Sequence, residues 1–215
     1  LYRAAADGLS LTCGGRRVDL PVPDLQVPGA HNRANAAAAL GVAGLCNVDL
    51  DQALGRLAAF QGLPHRLRLA GVFGDIRFYN DSKATTPEAA IIAIDAMTAP
   101  TVALVGGYDK KSDLSEMARR YAQKAKVVVC YGVTGPALAQ AIRRHAAANP
   151  GGSTTSAAVA DPTAPLVLEA PTFDAAVAAA CDHAAPGDAV LLSPGCASRS
   201  EERRVGKEGR SRGSP

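Results

Sequence analysis

Hydrophobic and polar positions change their rhythm once along this chain, near residue 66. Beyond it, short apolar runs at 67–72, 76–79, 101–105, 127–131, 166–168 and 189–192 alternate with longer segments of helical period at 87–97, 114–123, 135–144 and 173–184. Runs that are apolar at consecutive positions, rather than at every second one, predict strands covered on both faces. Their alternation with helices predicts an α/β domain built on a mainly parallel sheet. Before residue 66 the pattern is different. Residues 9–13 and 16–20 flank Gly14-Gly15, a two-residue hairpin signal. Pro21, Pro23 and Pro28 then interrupt further strand pairing. An alanine-rich stretch at 34–45 reads as a buried helix, and a second, short helix opens at Asp49 and ends before Gly62-Leu63-Pro64. These elements are too few for a domain. Residues 1–66 therefore read as the end of one domain, and 67–198 as a second, sheet-based one. Residues 150–155 and 161–165 read as surface loops, and no internal repeat is visible.

Composition refines this picture. Hydrophobic residues make up 47% of the 215, but aromatics only 4%, with no Trp, so alanine, valine and leucine must build the core. No apolar run approaches the roughly 18 residues of a membrane span. Leu1-Tyr2-Arg3 is neither a secretory signal nor a start, which suggests a cut N-terminus. Cys13, Cys46, Cys130, Cys181 and Cys196 are odd in number, widely spaced and without a C-x-x-C pair. Reduced, mostly buried thiols in a cytoplasmic protein are expected. The net charge of +3 resides wholly in residues 199–215, which hold six basic and three acidic residues. The rest is neutral, so the charge gives the folded part no nucleic-acid signature.

Candidate chemistry clusters in loops. Asn80-Asp81-Ser82-Lys83-Ala84-Thr85 lies where a strand ends and the helix beginning at Pro87 starts. In open α/β sheets ligands bind at such places, and a helix N-terminus with a lysine beside it suits anions. Alone, the stretch could equally be an ordinary loop capped by Asp or Ser. Gly29-Ala30-His31-Asn32-Arg33-Ala34-Asn35 starts the first helix; Asn32 and Asn35 are three apart, so their amides share a face and could meet a purine edge. The alternative is one capping and one solvated Asn. Arg66, in Gly62-Leu63-Pro64-His65-Arg66, would face a cleft if two domains close there, and its guanidinium suits phosphate; otherwise it is a linker arginine. Gly106-Gly107-Tyr108-Asp109-Lys110-Lys111 follows a strand, with glycines that permit close backbone approach and lysines that supply charge. Neither a Walker A loop nor G-x-G-x-x-G is present. Ser193-Pro194-Gly195-Cys196-Ala197-Ser198 ends the last strand, and Ser193 and Ser198 could bind an anionic ligand. Cys196 has no sequence neighbour that would activate it. His145 and His183 read as ordinary helix histidines.

Taken together, these strings resemble one family. Gly29-x-His31-Asn32-x-x-Asn35-x-Ala37-Ala38 resembles the close of the central ATPase domain of Mur ligases. Gly62-Leu63-Pro64-His65-Arg66, the 80–85 string, Gly106-Gly107-x-Asp109-Lys110 and Ser193-Pro194-x-Cys196-Ala197-Ser198 resemble the D-glutamate-adding branch in order and spacing. The resemblance covers residues 1–198; Thr86 stands where an asparagine would be usual. It implies a Rossmann-like C-terminal domain preceded by the end of the ATP-binding domain. The implied reaction joins D-glutamate to UDP-N-acetylmuramoyl-L-alanine with ATP and Mg²⁺, in peptidoglycan precursor synthesis. By the same resemblance Asn32, Asn35, Arg66 and Asp81 would serve the nucleotide, and Lys83, Thr85, Lys110 and Ser198 the glutamate, with Lys83 and Lys110 catalytic. The P-loop, the Mg²⁺ ligands and the UDP-sugar domain have no counterpart in these residues, so the 215-residue chain alone is expected to be inactive. A monomer without nucleic-acid or membrane partners is expected. Another amide ligase of the superfamily, such as a folylpolyglutamate synthase, is the rival reading, as is a fragment that only binds nucleotide. Residues 199–215 depart from the family and resemble a translated sequencing adapter; the alternative is a genuine basic tail.

Overall fold

The computed structural model describes residues 2–4, 8–13, 16–21, 25–108, 112–148 and 164–197. Two compact units divide the chain, Leu1–Arg68 and Leu69–Pro215. In the first, β1 (Tyr2–Ala4), β2 (Gly8–Cys13) and β3 (Arg16–Pro21) form an antiparallel sheet in that order. Cys13 pairs with Arg16, so the β2–β3 hairpin closes across two residues. β1 is three residues long, too short to show a period in the sequence. Helices α1 (Ala30–Leu45) and α2 (Leu50–Ala58) follow. Ala37 and Leu40 of α1 are buried against Leu50, Ala53, Leu54 and Leu57 of α2. Asp49 caps α2, its carboxylate accepting the N–H groups of Asp51 and Gln52.

α1 starts four residues earlier than its apolar pattern suggested. Gly29, at φ 99°, turns the chain directly into the helix. The amide of Asn32 then donates back to the Pro28 carbonyl at 2.7 Å. Polar His31, Asn32 and Arg33 thereby form the first turn, as the reading of Gly29–Asn35 as a helix start expects.

From the joint onward the elements are β4 (Arg68–Phe73), β5 (Ile76–Asn80), α3 (Pro87–Asp95), β6 (Thr101–Gly107), α4 (Ser115–Lys124), β7 (Val127–Gly132), α5 (Gly135–Ala148), β8 (Leu166–Ala170), α6 (Phe173–His183) and β9 (Ala189–Leu192). They build one six-stranded sheet, in the order β4-β5-β9-β6-β7-β8. The pairs β5–β9, β9–β6, β6–β7 and β7–β8 are parallel. β4 and β5 make a hairpin through Gly74-Asp75, both left-handed (φ 56° and 61°), as a tight primed turn requires.

Both faces of the central strands are covered, as the continuous apolar runs imply. Val102, Leu104, Val127, Val129 and Val190 pack on Ala176 and Ala180 of α6. The alternating residues Ala103, Val105, Val128, Cys130 and Leu191 are also buried and point to the other face. There α5 covers β7 and β8, with α4 beside it and α3 beyond. The chain runs β5 to β6 to β7 to β8 in one direction, then reverses through α6 to insert β9 between β5 and β6. Right-handed crossovers place helices of opposite direction on opposite faces, so α6 stands apart from α3, α4 and α5. No helix among the described residues is long and apolar enough to cross a membrane.

The thiols Cys46, Cys130, Cys181 and Cys196 are all unpaired by disulfides; the first and third are exposed, the other two buried. Burial, and then the negative charge of Glu169, push the Cys130 thiol up to about 12. Its folded value exceeds the ordinary 9.0, so ionisation of this thiol costs the fold nothing below that value. Stability falls as pH rises from there to about 12, where the unfolded chain ionises and the folded one does not. In a Cys13→Ser background, a disulfide reagent at neutral pH is expected to label Cys46 and Cys181 and to reach Cys130 and Cys196 only on unfolding. Peptide mass spectrometry reads the outcome; labelling of Cys130 as fast as Cys46 would contradict this packing.

Candidate functional site

β5, β9 and β6 are adjacent and parallel, so the segments that follow them leave the sheet at one edge. The segment after β5 alternates buried and exposed positions. Asn80 accepts the Ser82 N–H at 3.0 Å through its side chain, forming a local turn. Asp81 is buried, Lys83 exposed, Ala84 buried and Thr85 half-buried. Thr86 caps α3 by accepting the Ala89 N–H, with Pro87 at the first helical position. Neither Asp81 nor Ser82 is the cap. Thr86 is therefore a chemically conservative replacement for asparagine, since both side chains cap.

Asp81 is held from the far end of the sequence. Its N–H donates to Leu192 O at 2.8 Å, and its carboxylate accepts the Ser193 hydroxyl at 2.8 Å. Ser193 is 1% exposed. That corrects the expectation that Ser193 binds an anionic ligand: its hydroxyl proton already serves a protein carboxylate. Tyr121 of α4 is fully buried beside it, donating to Ala90 O at 3.0 Å and lying within hydrogen-bond reach of Ser193. Burial, above all, raises the Tyr121 phenol far above its usual value, so it stays neutral. Tyr121 escaped sequence reasoning because an aromatic on an amphipathic helix reads simply as core.

The segments after β6 and β9 are stitched together by backbone. Gly106 N donates to Pro194 O at 2.9 Å and Tyr108 N to Ala197 O at 2.8 Å, closing an antiparallel bridge between Tyr108 and Ala197. Thr134, before α5, adds a third tie. Its hydroxyl accepts the Gly107 N–H at 3.0 Å and reaches Cys196 Sγ at 3.4 Å. Cys196 is thus buried structure. The two glycines do admit close backbone approach, but here from the protein's own chain. A Cβ on Gly106 would lie 2.2 Å from Tyr131 O, and one on Gly107 2.7 Å from Ala197 O.

Lys110 and Ser198 lie outside the described residues, as do Asp109, Lys111 and the whole of 199–215. In the first unit, Asn32 and Asn35 both sit on α1, half-buried and exposed respectively. Asn32 already spends one amide N–H on Pro28. Arg66 is exposed, between His65 and Leu67, both left-handed at φ 64° and 44°.

Gly106→Ala combines a left-handed backbone (φ 115°) with a backbone clash. It is expected to lower stability by roughly 2–4 kcal/mol. Gly55, in α2, has nothing within 4 Å of a would-be Cβ. Gly55→Ala should instead gain up to about 1 kcal/mol of helix propensity. Denaturant titration of both variants checks this, and equal effects would show that the stitched loops are not tight.

The description "Mur ligase, glutamate ligase domain" fits residues 65–196. A UDP-N-acetylmuramoylalanine–D-glutamate ligase of Pelotomaculum thermopropionicum is 38% identical over 185 residues, 86% of this chain and 37% of its own length. The chain thus spans well under half of that relative. Among solved structures, UDP-N-acetylmuramate–alanine ligase of Thermotoga maritima shares the fold, with a TM-score of 0.63 at 17% identity, over 98% of this chain and 45% of its own. FolC of E. coli, solved in complex with ADP, does so at 0.60 and 19%, over 99% and 47%. With the family description matching more than half of its residues, the chain belongs to the Mur ligases through their glutamate ligase domain.

Proposed function

We propose that this chain is the glutamate-accepting part of a cytoplasmic, ATP-dependent ligase that adds D-glutamate to UDP-N-acetylmuramoyl-L-alanine. In this reading residues 1–66 are the end of its ATP-binding domain, 67–198 its C-terminal domain, and 199–215 lie outside the fold. The observation that carries the reading is the 80–85 segment. It offers an exposed lysine on a backbone anchored by a buried aspartate, at the shared edge of three parallel strands. The name of the Pelotomaculum relative supports the choice of D-glutamate over the folylpolyglutamate alternative, for which the likeness extends to fold alone.

The chemistry has two steps. The γ-phosphoryl group of ATP passes to the L-alanine carboxylate, giving an acyl phosphate and ADP. The neutral amine of D-glutamate attacks the acyl carbon, the C–O bond to phosphate breaks, phosphate leaves, and the amine gives up its proton. This chain's part is positioning. Lys83 and Lys110 pair with the glutamate carboxylates, with Thr85 and Ser198 donating hydrogen bonds. Asp81 takes a ribose hydroxyl, Arg66 a phosphate, and Asn32 and Asn35 the adenine edge. Mg²⁺ is not assigned here. Among the described residues no group of three or more His, Cys, Asp or Glu could hold an ion.

The test is phosphate release dependent on ATP and D-glutamate, in an enzyme where residues 1–197 replace the corresponding segment of the Pelotomaculum relative. Lys83→Ala is expected to lower kcat/KM for D-glutamate by about 10- to 100-fold, the worth of a charge-assisted contact. Lys111→Ala should change it only slightly, and L-glutamate should not substitute. The 215-residue chain alone, lacking a phosphate-cradling loop, should not turn over. Equal loss in the two lysine variants, or turnover by the chain alone, would sink the assignment.

A further inference from the structure

Three side chains from distant parts of the sequence meet behind the 80–85 segment. Asp81 follows β5, Ser193 follows β9, and Tyr121 lies on α4. All three are buried, at 8%, 1% and 0% exposure. Only Asp81 belongs to a segment that reaches the sheet edge with an exposed neighbour, Lys83. A serine this deeply buried needs a partner for its hydroxyl. Here the partner is a carboxylate oxygen at 2.8 Å, across 112 positions of sequence. Tyr121, itself bonded to Ala90 O, interacts with the serine hydroxyl.

We infer that Ser193 is a positioning residue for Asp81: by donating to Oδ2, its hydroxyl sets the orientation of the carboxylate. The arrangement resembles other sites where a functional group is oriented by a partner behind it. The inference rests on the reading of Asp81 as the nucleotide contact. It adds that the quality of that contact is set from β9, through a residue that never touches the nucleotide.

Two measurements test it. The first needs no activity. In the 215-residue chain, three-bond couplings from Asp81 N and C′ to Hβ report its χ1 rotamer. The native chain is expected to show one rotamer and Ser193→Ala an average of several. Ser193→Cys, similar in size with a weaker donor, should fall between. It also serves if the alanine variant does not fold. Tyr121→Phe should loosen Asp81 less than Ser193→Ala. A single rotamer kept in either Ser193 variant overturns the inference.

The second measurement uses the chimeric ligase. Ser193→Ala is expected to raise KM for ATP about tenfold, with kcat changed less than about twofold, as for loss of one bond to a charged group. Added to Asp81→Asn, it should have no further effect, because it acts only through that carboxylate. Additive losses overturn the positioning role. If Asp81→Asn alone leaves KM for ATP unchanged, the nucleotide reading of Asp81 fails instead, and the rotamer result still decides whether Ser193 holds the carboxylate.

Discussion

The end of β9 is the constraint on which the rest of the second unit depends. This strand is the last among the described residues but central in the sheet, and it bonds to neighbours on both sides. Asp81 N reaches Leu192 O and Gly195 N reaches Ala84 O on the β5 side. Ser193 N reaches Leu104 O and Gly106 N reaches Pro194 O on the β6 side. The other end of β9 is pinned as well. Lys126 Nζ and the Ala185 N–H both bond the buried carboxylate of Asp188, just before the strand. The insertion closes a loop of more than a hundred residues, a step whose entropic cost must be met before its contacts form. Until β9 is in place, nothing joins β5 to β6 and their loops share no edge.

This geometry explains the contrast between the anchored stem of the 80–85 segment and its exposed Lys83. Asp81 and Ala84 are buried on either side of Lys83, so a flexible, charged side chain projects from backbone that is itself fixed. Tyr108 and Ala197 pair to close the other stem. Substrate positioning gains from such an arrangement, because the backbone ordering is complete before any ligand arrives. It also costs side-chain freedom. Gly106 and Gly107 have no room for a Cβ, and Ser193 has no proton left for a ligand.

The candidate strings were conspicuous because they are local. Asn80 to Thr85 and Gly106-Gly107 stand out by residue type alone, at strand-to-helix joints that the apolar runs already mark. Strand β9 matched its apolar run residue for residue, and α2 opened at Asp49, where its start was expected. The start of α1 is not shown by the apolar period alone. Its first turn is polar, and it forms because Gly29 permits a left-handed entry and Asn32 ties back to Pro28. Neither effect leaves a periodic trace.

The sequence by itself determined the α/β alternation, the double coverage of the central strands and the order of the candidate loops. These follow from propensity and burial acting over a few neighbouring residues. What only the tertiary structure decided is which strands lie side by side. The insertion of β9 between β5 and β6 turned Ser193 from a candidate ligand-binding hydroxyl into the support of Asp81. It also made Tyr121 and Thr134 part of the loop scaffold. Such partners are set by sheet order and crossover handedness, which act between residues far apart in sequence, so no local pattern along the chain encodes them.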